Sequence, residues 1–151
     1  MKKILAALIF LGLTGSLFAQ QTLKPEEMIK YRKAGYSFMA WNMGKIKSNL
    51  DGAFNKELVA NAAALIAATA NSGMGALYAP GTDRDVAGEK TRLKPEFFQQ
   101  PQKARELAVK FNQEANELAK VSLTGDVVAI KAQFGKTGGA CKGCHDAFRK
   151  E

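Results

Sequence analysis

Histidine and cysteine are scarce in this 151-residue chain, which has one histidine and two cysteines. A zinc site normally needs four cysteine, histidine or carboxylate ligands, and the sequence offers no second ligand pair to complete one. No strand-like alternation, internal repeat or low-complexity tract stands out. These absences favour one helical domain in which very few residues carry chemistry.

Long hydrophobic runs are also missing, except near the N-terminus. Lys2 and Lys3 precede an apolar stretch from Ile4 to Leu13, and Ala19 offers a small residue for cleavage. This layout predicts a secretory signal peptide over residues 1–19, because the stretch is too short to span a membrane comfortably. Leu17 stands where a smaller residue is usual, so an uncleaved anchor is the alternative. Cleavage would leave residues 20–151 as the mature domain, with no other membrane segment.

The charge is positive but not concentrated. The formal net charge is +8, and removal of a signal peptide with its two lysines would leave about +6. Lysines and arginines are spread along the chain rather than clustered with aromatic residues, which favours a solvated surface over a nucleic-acid interface. The positive surface would suit an acidic redox partner.

Four stretches show the periodicity of amphipathic helices. The predicted helices cover about residues 25–51, 56–70, 95 or 101–121, and 126–150. A linker of about residues 73–94, with Pro80-Gly81 at its centre, separates the second helix from the third, and a loop of this length is usually functional or partly ordered into short turns. The economical fold is all-α, an antiparallel four-helix bundle.

The pentad Cys141-Lys142-Gly143-Cys144-His145 contains every cysteine and the only histidine of the chain. C-x-x-C-H is the attachment signature of c-type haem, in which each thiol adds to a vinyl group and the imidazole becomes the proximal iron ligand. A surface disulfide with an incidental histidine, or half of a zinc site, is the alternative. With both thiols on haem, no structural disulfide is possible.

Three glycines, Gly135, Gly138 and Gly139, precede the pentad. Each costs a helix about 1 kcal/mol relative to alanine, so their presence needs a reason. Either the backbone approaches the porphyrin closely here, or the helix is kinked or broken.

Together these residues resemble the cytochrome c′ family, the exported class II c-type cytochromes. The resemblance spans nearly the whole mature chain, and it is carried by Lys24-Pro25-Glu26-Glu27 leading into Tyr31-Arg32, by Tyr78-Ala79-Pro80-Gly81-Thr82, and by Cys141 to Lys150. It implies a periplasmic protein with one haem c, often a homodimer through its first two helices. Phe38, Trp41 and Phe54 could supply the aromatic surface for such a dimer.

The resemblance also assigns roles to individual residues. Cys141 and Cys144 would form the thioether bonds, and His145 would be the proximal ligand. Arg32 would contact a haem propionate, Lys33 would lie near the haem edge, and Arg149 would stack near the proximal face. Tyr36 would cover the distal face, which Tyr78 would help to close. Without the resemblance, Arg32 reads as a solvated charge, Arg149 as a complement to the helix dipole, and Tyr36 as a core aromatic.

The sixth iron ligand decides between the functions. No second histidine exists, and lysine must first lose its proton to ligate. Methionine is the remaining protein ligand, and Met28, Met39, Met43 and Met74 are available, although core filling is their usual use. We expect an open, five-coordinate, high-spin iron that binds NO and CO, as the resemblance implies, with a methionine-ligated electron carrier of the c-556 type as the alternative. A peroxidase-like enzyme would need a distal acid–base group, and the only histidine is proximal.

Overall fold

The computed structural model describes residues 23–151. The predicted signal peptide lies outside these residues. The described residues form five α-helices: α1 (Pro25–Asp51), α2 (Lys56–Ala70), α3 (Glu96–Gln99), α4 (Pro101–Ser122) and α5 (Val127–Phe148), with a 3-10 helix at Met74–Leu77. The predicted all-α bundle is confirmed, with α1, α2, α4 and α5 as its long helices. Within residues 23–151, no helix combines the length and the apolar character needed to cross a membrane.

Local sequence signals set where the helices begin. Pro25 and Pro101 occupy the first turns of α1 and α4, where a missing N–H costs nothing. The side chains of Asn55 and Asp126 accept hydrogen bonds from the first backbone N–H groups of α2 and α5. The prediction left two starts for the third helix, and the chain uses both, because Pro95 caps the single turn α3 before Pro101 opens α4.

The last helix ends two residues earlier than predicted. Beyond Phe148 the chain becomes extended, and Arg149 forms an isolated bridge with Leu93 of the linker. The N–H of Lys150 donates to the carbonyl of Arg92 at 2.7 Å. The linker is therefore tied to the end of α5.

Three sides of the bundle are closed by packing, since α1 packs on α2, α2 on α4, and α4 on α5. The core of these contacts is apolar and largely small. Its fully buried members include Ile46, Val59, Ala62, Ala63, Ile66, Ala115, Leu118 and Ile130. The periodicity of α2 predicts a packing face made of Leu58, Val59, Ala62, Leu65, Ile66 and Thr69. That prediction is wrong in part, because Leu58 and Leu65 are exposed and Ala63, Ala67 and Ala70 are buried instead.

The fourth side, between α1 and α5, is not closed in this way. In the described part of the chain these two helices are not among the pairs that pack closely. The 3-10 helix packs on α1 instead, and the linker runs from there to the end of α5. We call this fourth side, bordered by α1, the linker and α5, the opening of the bundle.

Candidate functional site

The pentad occupies the last two turns of α5. Cys141 and Cys144 are free thiols, half-buried, and three residues apart on the helix, so they lie on the same face. His145 follows directly and is exposed. Burial raises the pKa of both thiols. The two thiols share one face of α5, as the predicted thioether bonds would need.

The glycines upstream do not break α5, which runs without interruption from residue 127 to residue 148. A Cβ atom built on Gly135, Gly138 or Gly139 would meet nothing within 4 Å in the described structure. Gly135, Gly138 and Cys141 follow one another at intervals of three, so they share one face of α5. The alternative of a break is wrong, and a flat group could approach the backbone closely here.

Tyr36 lies across the opening from the pentad. It is 41% exposed, although the sequence places it in the apolar stripe of α1. Desolvation raises the pKa of Tyr36, and the nearby Cys144 and Cys141 add to that effect while a hydrogen bond from Tyr78 opposes it. The Tyr36 phenol of α1 therefore lies near enough to both thiols of α5 for them to influence its pKa.

Tyr78, from the linker, joins Tyr36 at this place. Its hydroxyl donates a hydrogen bond to the Tyr36 hydroxyl at 3.1 Å. Its pKa is raised strongly, first by desolvation and then by Tyr36. Two residues that are 42 positions apart thus form one polar pair at the opening.

Arg32 is the least expected feature of the site, because its guanidinium is buried with only 4% of the residue exposed. Nη1 donates to the carbonyl of Leu77 at 3.3 Å and to Oγ1 of Thr82 at 2.7 Å. Nη2 donates to the carbonyl of Thr82 and to Oγ1 of Thr91 at 2.6 Å. Desolvation lowers the pKa of Arg32, and no carboxylate among the described residues lies within ion-pair distance of it. The side chain fixes the linker, and only its Nε–H is left for another acceptor.

Thr82 and Thr91 were missed by sequence reasoning. Thr82 is completely buried and its hydroxyl also donates to the carbonyl of Ala79 at 2.8 Å. The signal for Thr82 was present in the Tyr78-to-Thr82 motif, but nothing in the sequence pairs Thr82 or Thr91 with an arginine 50 or 59 residues earlier.

Lys33 and Arg149 lie at the edge of the opening. Lys33 forms an exposed ion pair with Glu89 of the linker at 3.0 Å. One nitrogen of the Arg149 guanidinium lies 3.3 Å from Nδ1 of His145. Both residues are solvent-facing, so these contacts position them without contributing much stability.

An aromatic row connects the linker to α5. The ring of Tyr78 stacks on Phe97 with centroids 4.6 Å apart, and Phe97 meets Phe148 edge-on at 5.4 Å. Phe148 lies one turn beyond the pentad and is 2% exposed. Phe97 thus connects Tyr78 of the linker to Phe148 of α5.

The candidate methionines mostly pack into the apolar core. Met39 is 4% exposed within the cluster that α1 shares with α2 and α4, and Met43 and Met74 pack against that cluster. Met74 also approaches α1 closely, since a Cβ on Gly35 would lie 2.8 Å from its Cε. Met28 is half-buried near the start of α1.

These features suit a covalently bound haem. Two free thiols share a helix face, an exposed imidazole adjoins them, and a Cβ on the glycines beside them would meet nothing within 4 Å. The fold and the site together define a c-type haem protein built on a helical bundle.

Comparison with known proteins makes the assignment specific. The model of the cytochrome c′ family matches residues 27–149. Cytochrome c′ of Allochromatium vinosum is 53% identical over 153 residues, which cover 99% of both chains. The crystal structure of cytochrome c′ from Thermochromatium tepidum matches with a TM-score of 0.84 and 52% identity, over 86% of this chain and 99% of that one. A second cytochrome c′ structure matches with the same TM-score and 55% identity, over 85% and 98% of the two chains.

The chain therefore belongs to the cytochrome c′ family, and its cofactor is covalently bound haem c. The predicted family and cofactor are confirmed. The roles assigned above to individual site residues stay predictions.

Proposed function

We propose that this protein binds NO and CO at a five-coordinate, high-spin haem iron in the periplasm, where it traps NO and takes part in electron transfer. Cys141 and Cys144 would hold the haem, and His145 would ligate the iron on its proximal side. Bound in this way, haem c supplies an iron with one open position for a diatomic ligand. The side chains of α1 and the linker then decide what reaches that position.

The observation that carries the proposal is the identity of the side chain facing the pentad. Tyr36 lies near the two thiols, and desolvation raises its pKa further above the usual 10.0, so the phenol is protonated at neutral pH. A protonated phenol is a poor iron ligand. Met39 and Met43, by contrast, are engaged in the apolar core. The arrangement favours an open position under an aromatic cover.

Two related structures support the choice of ligands. Cytochrome c′ of Alcaligenes xylosoxidans is 25% identical to this chain in both, with TM-scores of 0.75 and 0.74. One is a carbon-monoxide-bound variant and the other is a nitric oxide complex of a mutant. A haem pocket on the same fold thus admits CO in one variant of that protein and NO in another.

The test is a titration of the reduced, haem-loaded protein with CO and NO, followed by absorption spectroscopy. We expect saturable binding of both gases, and the same spectra before gas addition in wild type, Met39→Leu and Met43→Leu. These volume-conserving changes should leave the fold intact. Met74→Leu is the control outside α1.

The alternative is a six-coordinate electron carrier of the c-556 type. It predicts no response to either gas in the wild type. It also predicts that either Met39→Leu or Met43→Leu converts a low-spin spectrum to a high-spin one.

The two tyrosines near the pentad, Tyr36 and Tyr78, favour gas binding over catalysis. Cleavage of an O–O bond needs a distal acid–base group with a pKa near the working pH. Tyr36 and Tyr78 both have pKa values above the ordinary 10.0 of tyrosine. We therefore propose that the protein is not an enzyme.

A homodimer through α1 and α2 is the proposed assembly. Trp41 is 59% exposed, packs beside Phe38 with ring centroids 5.8 Å apart, and lies 4.3 Å from Nζ of Lys45. Phe54 packs against the core instead of adding to this surface. One related cytochrome c′ structure shows ligand-controlled dimer dissociation. Sedimentation of wild type and Trp41→Lys tests this assembly. A monomeric wild type would contradict the dimer, and a dimeric Trp41→Lys would contradict the proposed surface.

A further inference from the structure

A single hydrogen bond joins Tyr36 and Tyr78, the polar pair at the opening. Tyr78 donates to Tyr36 at 3.1 Å, and the two residues come from the linker and from α1. Tyr36 is 41% exposed, so packing alone restrains it weakly. Its position therefore depends on its hydrogen-bond partner.

Tyr78 is restrained much more firmly than Tyr36. The Arg32 guanidinium lies 4.8 Å from the centre of its ring, and Phe97 stacks on it at 4.6 Å. Phe97 is in turn packed edge-on against Phe98 and Phe148. The ring is fixed from both the α1 and the α5 sides of the opening.

The linker that carries Tyr78 is fixed as well. The Arg32 guanidinium donates to the carbonyl of Leu77, which directly precedes Tyr78. It also donates to the hydroxyls of Thr82 and Thr91, further along the linker. Both terminal nitrogens of the guanidinium are occupied by these oxygens, and the side chain is buried. Arg32 thus sets the place from which Tyr78 reaches Tyr36.

We propose that Tyr78 is a positioning residue that holds Tyr36 across the opening between α1 and α5, and thereby lowers the affinity for CO. The inference rests on the proposed function of gas binding. A gas that enters beside Tyr36 must displace the phenol, which breaks the bond from Tyr78. One neutral hydrogen bond of about 0.5–1.5 kcal/mol corresponds to about a two- to tenfold change in an equilibrium constant.

The experiment is a double-mutant cycle on the reduced, haem-loaded protein, with CO as the ligand. Tyr78→Phe and Tyr36→Phe each remove one hydroxyl and keep the ring. We expect each to raise CO affinity about two- to tenfold, and Tyr78→Phe to have no further effect in the Tyr36→Phe background. Tyr31→Phe, an exposed tyrosine on the same helix, is the matched control and should change nothing.

A second readout uses no gas. The same four proteins are unfolded by denaturant, and the two hydroxyls should be coupled in the unfolding equilibrium constant by a similar factor. Coupling in unfolding together with additive or absent effects on CO affinity would overturn the inference, because the bond would then be purely structural. Absence of coupling in both measurements would also overturn it.

The proposed function can fail separately. If wild-type protein binds no CO, the gas-binding function is overturned and the inference falls with it, whatever the unfolding cycle reports. If wild type binds CO and the affinity cycle shows no coupling, only the inference is overturned.

Discussion

The two sides of this bundle are built from different kinds of residue. Where α2 meets α1 and α4, the buried side chains are small or branched and apolar, among them Val59, Ala62, Ile66, Ala115 and Leu118. Where α1 faces α5, α1 and the linker supply two phenols and a buried guanidinium, and α5 supplies two thiols on a face rich in glycine. The first side is closed by packing and the second is not.

This contrast separates stability from binding. The apolar side holds the buried hydrophobic cluster, so it should supply most of the free energy of folding. The open side keeps its residues in place through a few directional contacts, above all those of Arg32 and Tyr78. Changes on the first side should therefore act on unfolding, and changes on the second side on the linker and on ligands.

The largest expected effect is on the closed side. Ile66→Ala should lower the free energy of unfolding by about 2–5 kcal/mol, because Ile66 is 1% exposed and its truncation leaves a cavity. Denaturant unfolding of the haem-loaded protein measures the change. Leu65→Ala is the control on the same helix, since Leu65 is 41% exposed and should cost far less. Equal losses in the two variants would contradict the assignment of the closed side.

The next effect is on the open side. Arg32→Gln should lower the free energy of unfolding by about 1–3 kcal/mol, because it removes most of the hydrogen bonds that Thr82 and Thr91 accept from Arg32. Amide hydrogen exchange should rise in the linker and stay unchanged in α2. Lys33→Gln is the control, because it removes a neighbouring, exposed charge; it should change neither the free energy of unfolding nor the exchange in the linker. An unchanged linker in Arg32→Gln would show that the guanidinium does not order it.

A smaller effect follows from the two phenols. Their pKa values are raised above 10.0 in the folded protein, so above pH 10 the unfolded chain releases protons that the folded chain retains. Stability should thus be fully present below pH 10 and fall as the pH rises beyond it. Denaturant unfolding at pH 8 to 11 should show a shallower fall in Tyr78→Phe than in wild type. The same slope in both would contradict the buried environment of Tyr78.

The smallest effect is a gain on the closed side. Ser122 is completely buried, and its hydroxyl has no hydrogen-bond partner in the described structure. Ser122→Ala should stabilise the protein by about 1 kcal/mol, because an unsatisfied polar group is removed. Ser48→Ala, on the exposed face of α1, corrects for helix propensity. A loss of stability in Ser122→Ala relative to Ser48→Ala would mean that the hydroxyl is satisfied.

The closed side was largely predictable from sequence, because helical periodicity and capping residues are local signals. Pro25, Asn55 and Asp126 mark helix starts by their own chemistry. Errors arose where alanine is abundant: on α2, Leu58 and Leu65 looked buried by hydrophobicity, whereas close packing selected the smaller Ala63 and Ala67.

The open side was predictable only in its covalent part. The pentad can be recognised from the sequence alone, because its spacing is the one that attachment of two thiols to haem requires. The contacts of Arg32 with Thr82 and Thr91 join residues 50 and 59 positions apart, and those of Tyr78 with Tyr36 join residues 42 apart. Such pairings depend on the path of the linker, which no local pattern specifies.

The most direct test of the account is the electron paramagnetic resonance spectrum of the oxidised, haem-loaded wild type at neutral pH. An open position beneath Tyr36 predicts a high-spin ferric signal, with Met39 and Met43 remaining in the core. A low-spin signal, accompanied by a sulfur-to-iron absorption band, would contradict the account and make a methionine the sixth ligand.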